Sequence, residues 1–165
     1  MILAAMAVPQ LMAGVDRSRT YAAARFLASR MALARAQAVT RGATVGCQFT
    51  GEGASVAFIL YVDGNDNGVR TRDIATGVDT PIEAPTRLDE AFPGVTFQLE
   101  EGSGDAVQFG VSRILSFSPT GTATSGTAYV RGRDGSQYAV RVLGATARTR
   151  VLHYDALRGE FLEVP

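Results

Sequence analysis

Lysine and tryptophan are absent from this 165-residue chain, cysteine and histidine occur once each, and no charge falls between Met1 and Val15. A single cysteine, Cys47, excludes an intramolecular disulfide framework and any cysteine-based metal site, and reads as a small buried strand residue rather than a nucleophile. With His153 as the only histidine and no G-x-S-x-G or phosphate-loop pattern, the usual nucleophile–base pairs cannot be assembled. His153, next to Tyr154, reads as a surface or packing residue. A carboxylate pair from the acidic middle of the chain would be an arbitrary choice among eleven acids. An enzyme is therefore not expected. All 16 basic residues are arginine, which a GC-rich coding bias explains without any functional meaning.

What is there begins with an uncharged apolar opening, Met1-Ile-Leu-Ala-Ala-Met-Ala-Val-Pro9-Gln10-Leu-Met-Ala-Gly-Val15. A bilayer-spanning helix needs roughly 20 apolar residues, so the segment reads as the C-terminal part of a membrane helix. A signal peptide fits less well, since it would carry a basic region first and a small-residue cleavage site after. From Asp16 to Thr40 the spacing of Ala23, Leu27, Met31, Ala34 and Ala38 predicts a helix with one apolar stripe, stopped by Gly42. If the two parts are continuous, residues 2 to 41 span about 60 Å, too long for a compact domain of this size, so one half must project. Pro9 should kink the projecting half rather than end it.

Beyond Gly42 the period changes to that of strands. Thr44–Thr50 and Ser55–Val62 flank a Gly51-Glu52-Gly53 hairpin turn. Residues 63–90, polar and acidic with few apolar residues, read as a long loop rather than core. Further strands are expected at Gly94–Glu100, Ala106–Val111, Ile114–Ser118, Thr127–Arg131, Gln137–Leu143 and Thr149–Tyr154, with a hairpin turn at Arg133-Asp134-Gly135-Ser136. Composition allows one core of ordinary size. The predicted class is α+β: a long N-terminal helix packed on an antiparallel sheet. The organisation that follows is an apolar helix remnant over 1–15, the amphipathic half of the same helix over 16–41, and a β-rich head over 42–165.

Net charge is zero but unevenly spread. Residues 1–50 hold six arginines against one acid (+5), 51–110 three against eleven (−8), and 111–165 seven against four (+3). Such asymmetry orients a subunit among neighbours or leaves a basic face for a polyanion.

Ile2-Leu3-Ala4-Ala5-Met6-Ala7-Val8-Pro9 resembles the N-terminal helix of the type IV pilin and pseudopilin superfamily, proline included. Phe117-Ser118-Pro119-Thr120-Gly121 and then Arg148-Thr149-Arg150 resemble the F-x-P-x-G and G-R-x-R elements of its GspH/FimT branch, with Ala147 where the glycine would stand. Residues 63–105 match nothing specific. In that superfamily the apolar helix follows a leader peptide, a cleavage site and a glutamate. None of these is in the sequence, so Met1 reads as a displaced start, with roughly ten to fifteen helix residues preceding it. The resemblance implies a minor pilin or pseudopilin: a structural subunit at or near the tip of a type II secretion pseudopilus or a type IV pilus, assembled through its N-terminal helix. It implies other pilins or pseudopilins as partners, and residence in the bacterial inner membrane, head in the periplasm, before assembly. No small-molecule substrate is expected. An unrelated membrane-anchored domain or enzyme is the remaining alternative.

Two candidate sites stand beside this structural role. Arg148 and Arg150, alternating on a strand, point to one face, with Arg131, Arg133 and Arg141 on potentially neighbouring strands. For members of the FimT type, this element implies DNA contact in uptake. The ordinary alternative is pairing with Glu160 or Glu163. Asp63-Gly-Asn65-Asp66-Asn67-Gly68 has the opening of a calcium loop, with Asp63, Asn65 and Asn67 as ligands and Asp73 as an irregular closing ligand, because position 12 is Ile74. The same residue types also build any tight turn. Calcium, if bound, would be a stabilising ion, and no other cofactor is expected. Phe117, Pro119 and Gly121 are expected to end a strand and shape a turn.

Overall fold

A computed structural model describes residues 3–99 and 104–164, with side chains from Gly14 onward. One helix, α1 (Leu3–Arg41), runs through Pro9 without interruption. The expected stripe is its inner face: Ala23, Leu27, Met31, Ala34 and Ala38 are fully buried, joined by Ala24 and Thr20. Small residues dominate this face, which lets the backbone of α1 lie close against the strands beneath it. Thr20 satisfies its buried hydroxyl by donating to the Asp16 carbonyl at 2.9 Å.

The head contains two antiparallel sheets rather than one. The first comprises β1 (Val45–Thr50), β2 (Ala57–Val62), β3 (Thr80–Pro81), β4 (Thr86–Arg87) and β7 (Ile114–Phe117), in the order β3-β2-β1-β7 with β4 also on β2. The second comprises β5 (Val95–Phe97), β6 (Val107–Gln108), β8 (Gly126–Gly132), β9 (Gln137–Leu143), β10 (Arg148–Asp155) and β11 (Glu160–Glu163), in the order β11-β10-β9-β8-β5 with β6 also on β8. Helix α1 lies across both, touching β1 and β7 of one and β5, β8, β9 and β10 of the other. Buried phenylalanines join the sheets: Phe49 on β1 stacks on Phe109 at 5.5 Å and meets Phe97 on β5 edge-on at 5.7 Å.

Residues 63–90 are not a plain loop outside the core. They form α2 (Thr71–Thr76), β3, β4 and the start of α3 (Leu88–Ala91), and they bury Asp63, Val69, Asp79 and Leu88. Sequence reading passed over them because so few apolar residues mark the segment; its order comes from carboxylates that bind backbone amides. An ion pair between Arg30 of α1 and Glu83 ties the segment to the helix. Two expected strands are shorter than their apolar runs, Val95–Phe97 and Val107–Gln108, and Glu100 lies outside the described residues. Strand β11 was not expected.

The head is also pinned to α1 around Asp16. Asp16 accepts an ion pair from Arg19 at 2.9 Å and lies 3.4 Å from Arg133 in the β8–β9 turn, and both arginines donate to the Pro93 carbonyl. These contacts fix where α1 leaves the head.

Candidate functional site

Three candidate regions can be placed on this frame: the projecting helix, the basic strands and the acidic loop. Of the helix residues Ile2, Leu3, Ala4, Ala5, Met6, Ala7, Val8 and Pro9, Ile2 lies outside the described residues, and the others form the first turns of α1. Among the residues of α1 whose side chains are described, the first buried one is Thr20, and the turns from Gly14 to Arg17 face solvent in part. No described helix is long and apolar enough to cross a membrane. On the outer side of α1, Arg17, Arg25, Arg35 and Arg41 are exposed.

The structure brings Arg148 and Arg150 together on β10, and Arg150 stands directly across from Arg141 on β9. Arg131 lies farther along β8, and Arg133 is engaged with Asp16 in the turn beyond it. Neither terminal arginine is without a partner. Arg150 donates to Glu163 of β11 at 3.0 Å and Arg148 approaches the same carboxylate at 4.0 Å. This is the pairing expected as the ordinary alternative. Ala147, at the position of the G-R-x-R glycine, has φ 50°, in the left-handed region where glycine is favoured, and is buried. Alanine is tolerated there because its methyl group packs in the core, offsetting a backbone cost of about 1–2 kcal/mol.

The F-x-P-x-G element does what its residue types suggest. Phe117 is fully buried at the end of β7, Gly121 takes φ 92°, and the turn returns the chain so that Thr124 bonds the outer edge of β7 at Ser116 through both its amide and its hydroxyl. An otherwise open sheet edge is covered.

In the acidic loop, the side chains turn inward to their own backbone. Asp63 accepts from the Asn65 amide at 3.1 Å and the Gly68 amide at 2.6 Å, and Asn65 accepts from the Asn67 amide at 3.3 Å. The anchor that sequence reading missed is Asp79, which is 1% exposed and accepts from the Gly64 amide at 3.1 Å and the Arg70 amide at 2.9 Å. Gly64 is required here, since a Cβ would collide with the Val78 carbonyl oxygen. Asp73 contributes its carbonyl to the Val78 and Asp79 amides, and its carboxylate Oδ2 is buried without a hydrogen-bond partner. Among the described residues no three acidic, histidine or cysteine side chains converge as metal ligands. The side-chain oxygens of Asp63 and Asn65, which accept from backbone amides, would have to give up those bonds to serve an ion.

Cys47 is buried on β1, and burial pushes its thiol pKa up. It is a packing residue. The ring of His153 packs 5.0 Å from that of Tyr138, which in turn meets Tyr21 of α1 at 5.5 Å.

Comparison with known proteins agrees with this architecture. The family described as type II transport protein GspH matches residues 23–147. The fold is similar to a solved structure of the minor pseudopilin EpsH from the type 2 secretion system of Vibrio cholerae. The TM-score is 0.53 at 15% identity, covering 82% of this chain and 97% of that one. No curated protein matches the sequence.

Proposed function

The chain belongs to the GspH family of type II transport proteins, and from that premise we propose that it is a minor pseudopilin of a type II secretion system, entering the pseudopilus through α1. Proteins of this family are structural subunits, not enzymes. The observation that carries the reading is the division of α1. Its second half is buried against both sheets from Thr20 to Ala38, while the same unbroken helix extends a further 17 residues toward its N-terminus, from Leu3 to Arg19. A helix of 39 residues is about 58 Å long, and the buried positions among its described side chains run only from Thr20 to Ala38.

In this proposal the apolar first half waits in the inner membrane until the helices of other pseudopilins offer an equivalent apolar environment, and the head stays on the periplasmic side. A place at or near the tip belongs to the same proposal. A DNA-uptake role draws on Arg141, Arg148 and Arg150 sharing one face. Glu163, 3.0 Å from Arg150, counters it, because a carboxylate inside the patch repels a phosphate backbone.

Deleting the gene and assaying both secretion and natural transformation separates the two. Loss of secreted proteins from the medium, with transformation intact, is expected. Intact secretion with lost transformation would overturn the secretion reading.

A further inference from the structure

The outward face of the second sheet carries more than arginines. Alternation along β10 places Arg148, Arg150, Leu152 and Tyr154 on one face, while β8 and β9 turn Ala128, Val130, Val140 and Val142 inward to the core shared with α1. Across the strands, Leu152 stands opposite Ala139, and Ala139 opposite Tyr129. Tyr129 and Tyr154 both reach Phe161 of β11, at 5.4 and 5.1 Å between ring centres and with the rings tilted by 57° and 50°. The three half-exposed rings lie over Ala139 and Leu152, which are buried although they point away from the main core. Beside them lie Arg141, Arg148 and Arg150, with Glu163 the one acid there among the described residues and Leu143 39% exposed at the rim.

We infer that this face docks the acidic side of a neighbouring pseudopilin's head, which makes it the subunit-contact surface of the role proposed above and rests on that reading. Tyrosine, phenylalanine and arginine around a small apolar centre are the residue types that protein interfaces concentrate. Three guanidiniums against one carboxylate select an acidic partner. Glu163 holds two of them in place and gives the partner's own cations one acceptor. The tilted rings press on one another and form no parallel platform, so stacked nucleic-acid bases fit poorly.

The test is site-specific photocrosslinking of the full chain in cells with an assembled secretion system. One probe replaces Leu143, and a control probe replaces Val39 on the exposed side of α1. An adduct from position 143 to another pseudopilin, mapped by mass spectrometry to a carboxylate-rich segment, is expected. It should fall about tenfold or more in an Arg141→Glu, Arg150→Glu double variant that leaves the position 39 adduct intact. If position 39 crosslinks to pseudopilins and position 143 does not, the docking face is wrong and the pseudopilin role stands. If neither crosslinks, the pseudopilin role itself fails. An adduct from position 143 to a second copy of this chain, or salt-sensitive DNA binding lost in the double variant, would replace the proposed occupant and overturn the inference.

Discussion

Replacing Asp79 with alanine should unfold the 63–79 segment from the head, and its cost follows from the two amides it holds. Its carboxylate accepts from Gly64 at 3.1 Å and from Arg70 at 2.9 Å while 1% exposed. Hydrogen bonds to a charged acceptor contribute about 1.5–3 kcal/mol each. Gly64 and Arg70 are exposed residues whose released amides can turn to water, so the lower end applies and the loss is about 3 kcal/mol. For a chain of this length that corresponds to a fall in Tm of about 6–12 °C. Asp79→Asn keeps one acceptor oxygen and should lose about half as much. Asn65→Ala, which gives up a single 3.3 Å bond in an exposed turn, should cost under about 1 kcal/mol. Thermal and urea unfolding followed by circular dichroism measure all three. An Asp79→Ala protein within about 0.5 kcal/mol of the parent would refute the claim that this carboxylate organises the segment. Because the loop's carboxylates already serve its amides, millimolar calcium and then a chelator should both leave Tm unchanged. A rise with calcium that Asp63→Ala abolishes would make the loop a metal site instead.

Other outcomes follow from single residues. Cys47 should react with a thiol reagent only at the rate of unfolding. Because burial raises its folded pKa, stability should hold below the unfolded thiol's pKa of about 8.5 and decline as pH rises above it. Slow labelling that speeds up in urea is expected, and fast labelling of native protein would contradict the burial. Ala147→Val places a β-branched residue at φ 50° and should destabilise by about 1–3 kcal/mol in urea titration, while Ala147→Gly, which relieves the backbone and loses a buried methyl, should stay near neutral. Glu83→Ala removes the partner of Arg30 and should make residues 76–86 the first site of limited proteolysis; an unchanged cleavage pattern would show that the ion pair does not hold the segment.

The helix was legible because its stripe repeats at the helical period and its faces differ sharply in character. All five residues chosen from Asp16–Thr40 are fully buried. The long strands were legible for the same kind of reason, and Gln137–Leu143 coincides with β9. Two features escaped. The ordering of 63–90 depends on Asp79 and Glu83 meeting partners far away in sequence, at Gly64 and Arg30, and no local period announces such contacts. The division into two sheets is set by which strands pair across the chain, β1 with β7 and β8 with β5, which hairpin spacing does not specify. Strand β11 did have a signal, since Arg158-Gly159 precedes a charged–apolar segment, Glu160-Phe-Leu-Glu163, and Gly159 takes φ 68°. At the candidate face, the alternation of Arg148 and Arg150 was readable, whereas the Tyr129–Phe161–Tyr154 cluster joins three strands and emerged only with the register.

Membership of the secretion filament can be measured on the filament itself. The direct measurement is mass spectrometry and immunogold labelling of pseudopili sheared from cells that overproduce the system. The chain should appear in the sheared fraction, at a few copies per filament, with labels clustered toward one end. Its absence from purified filaments, together with normal secretion in a deletion strain, would show that the chain is no pseudopilus subunit.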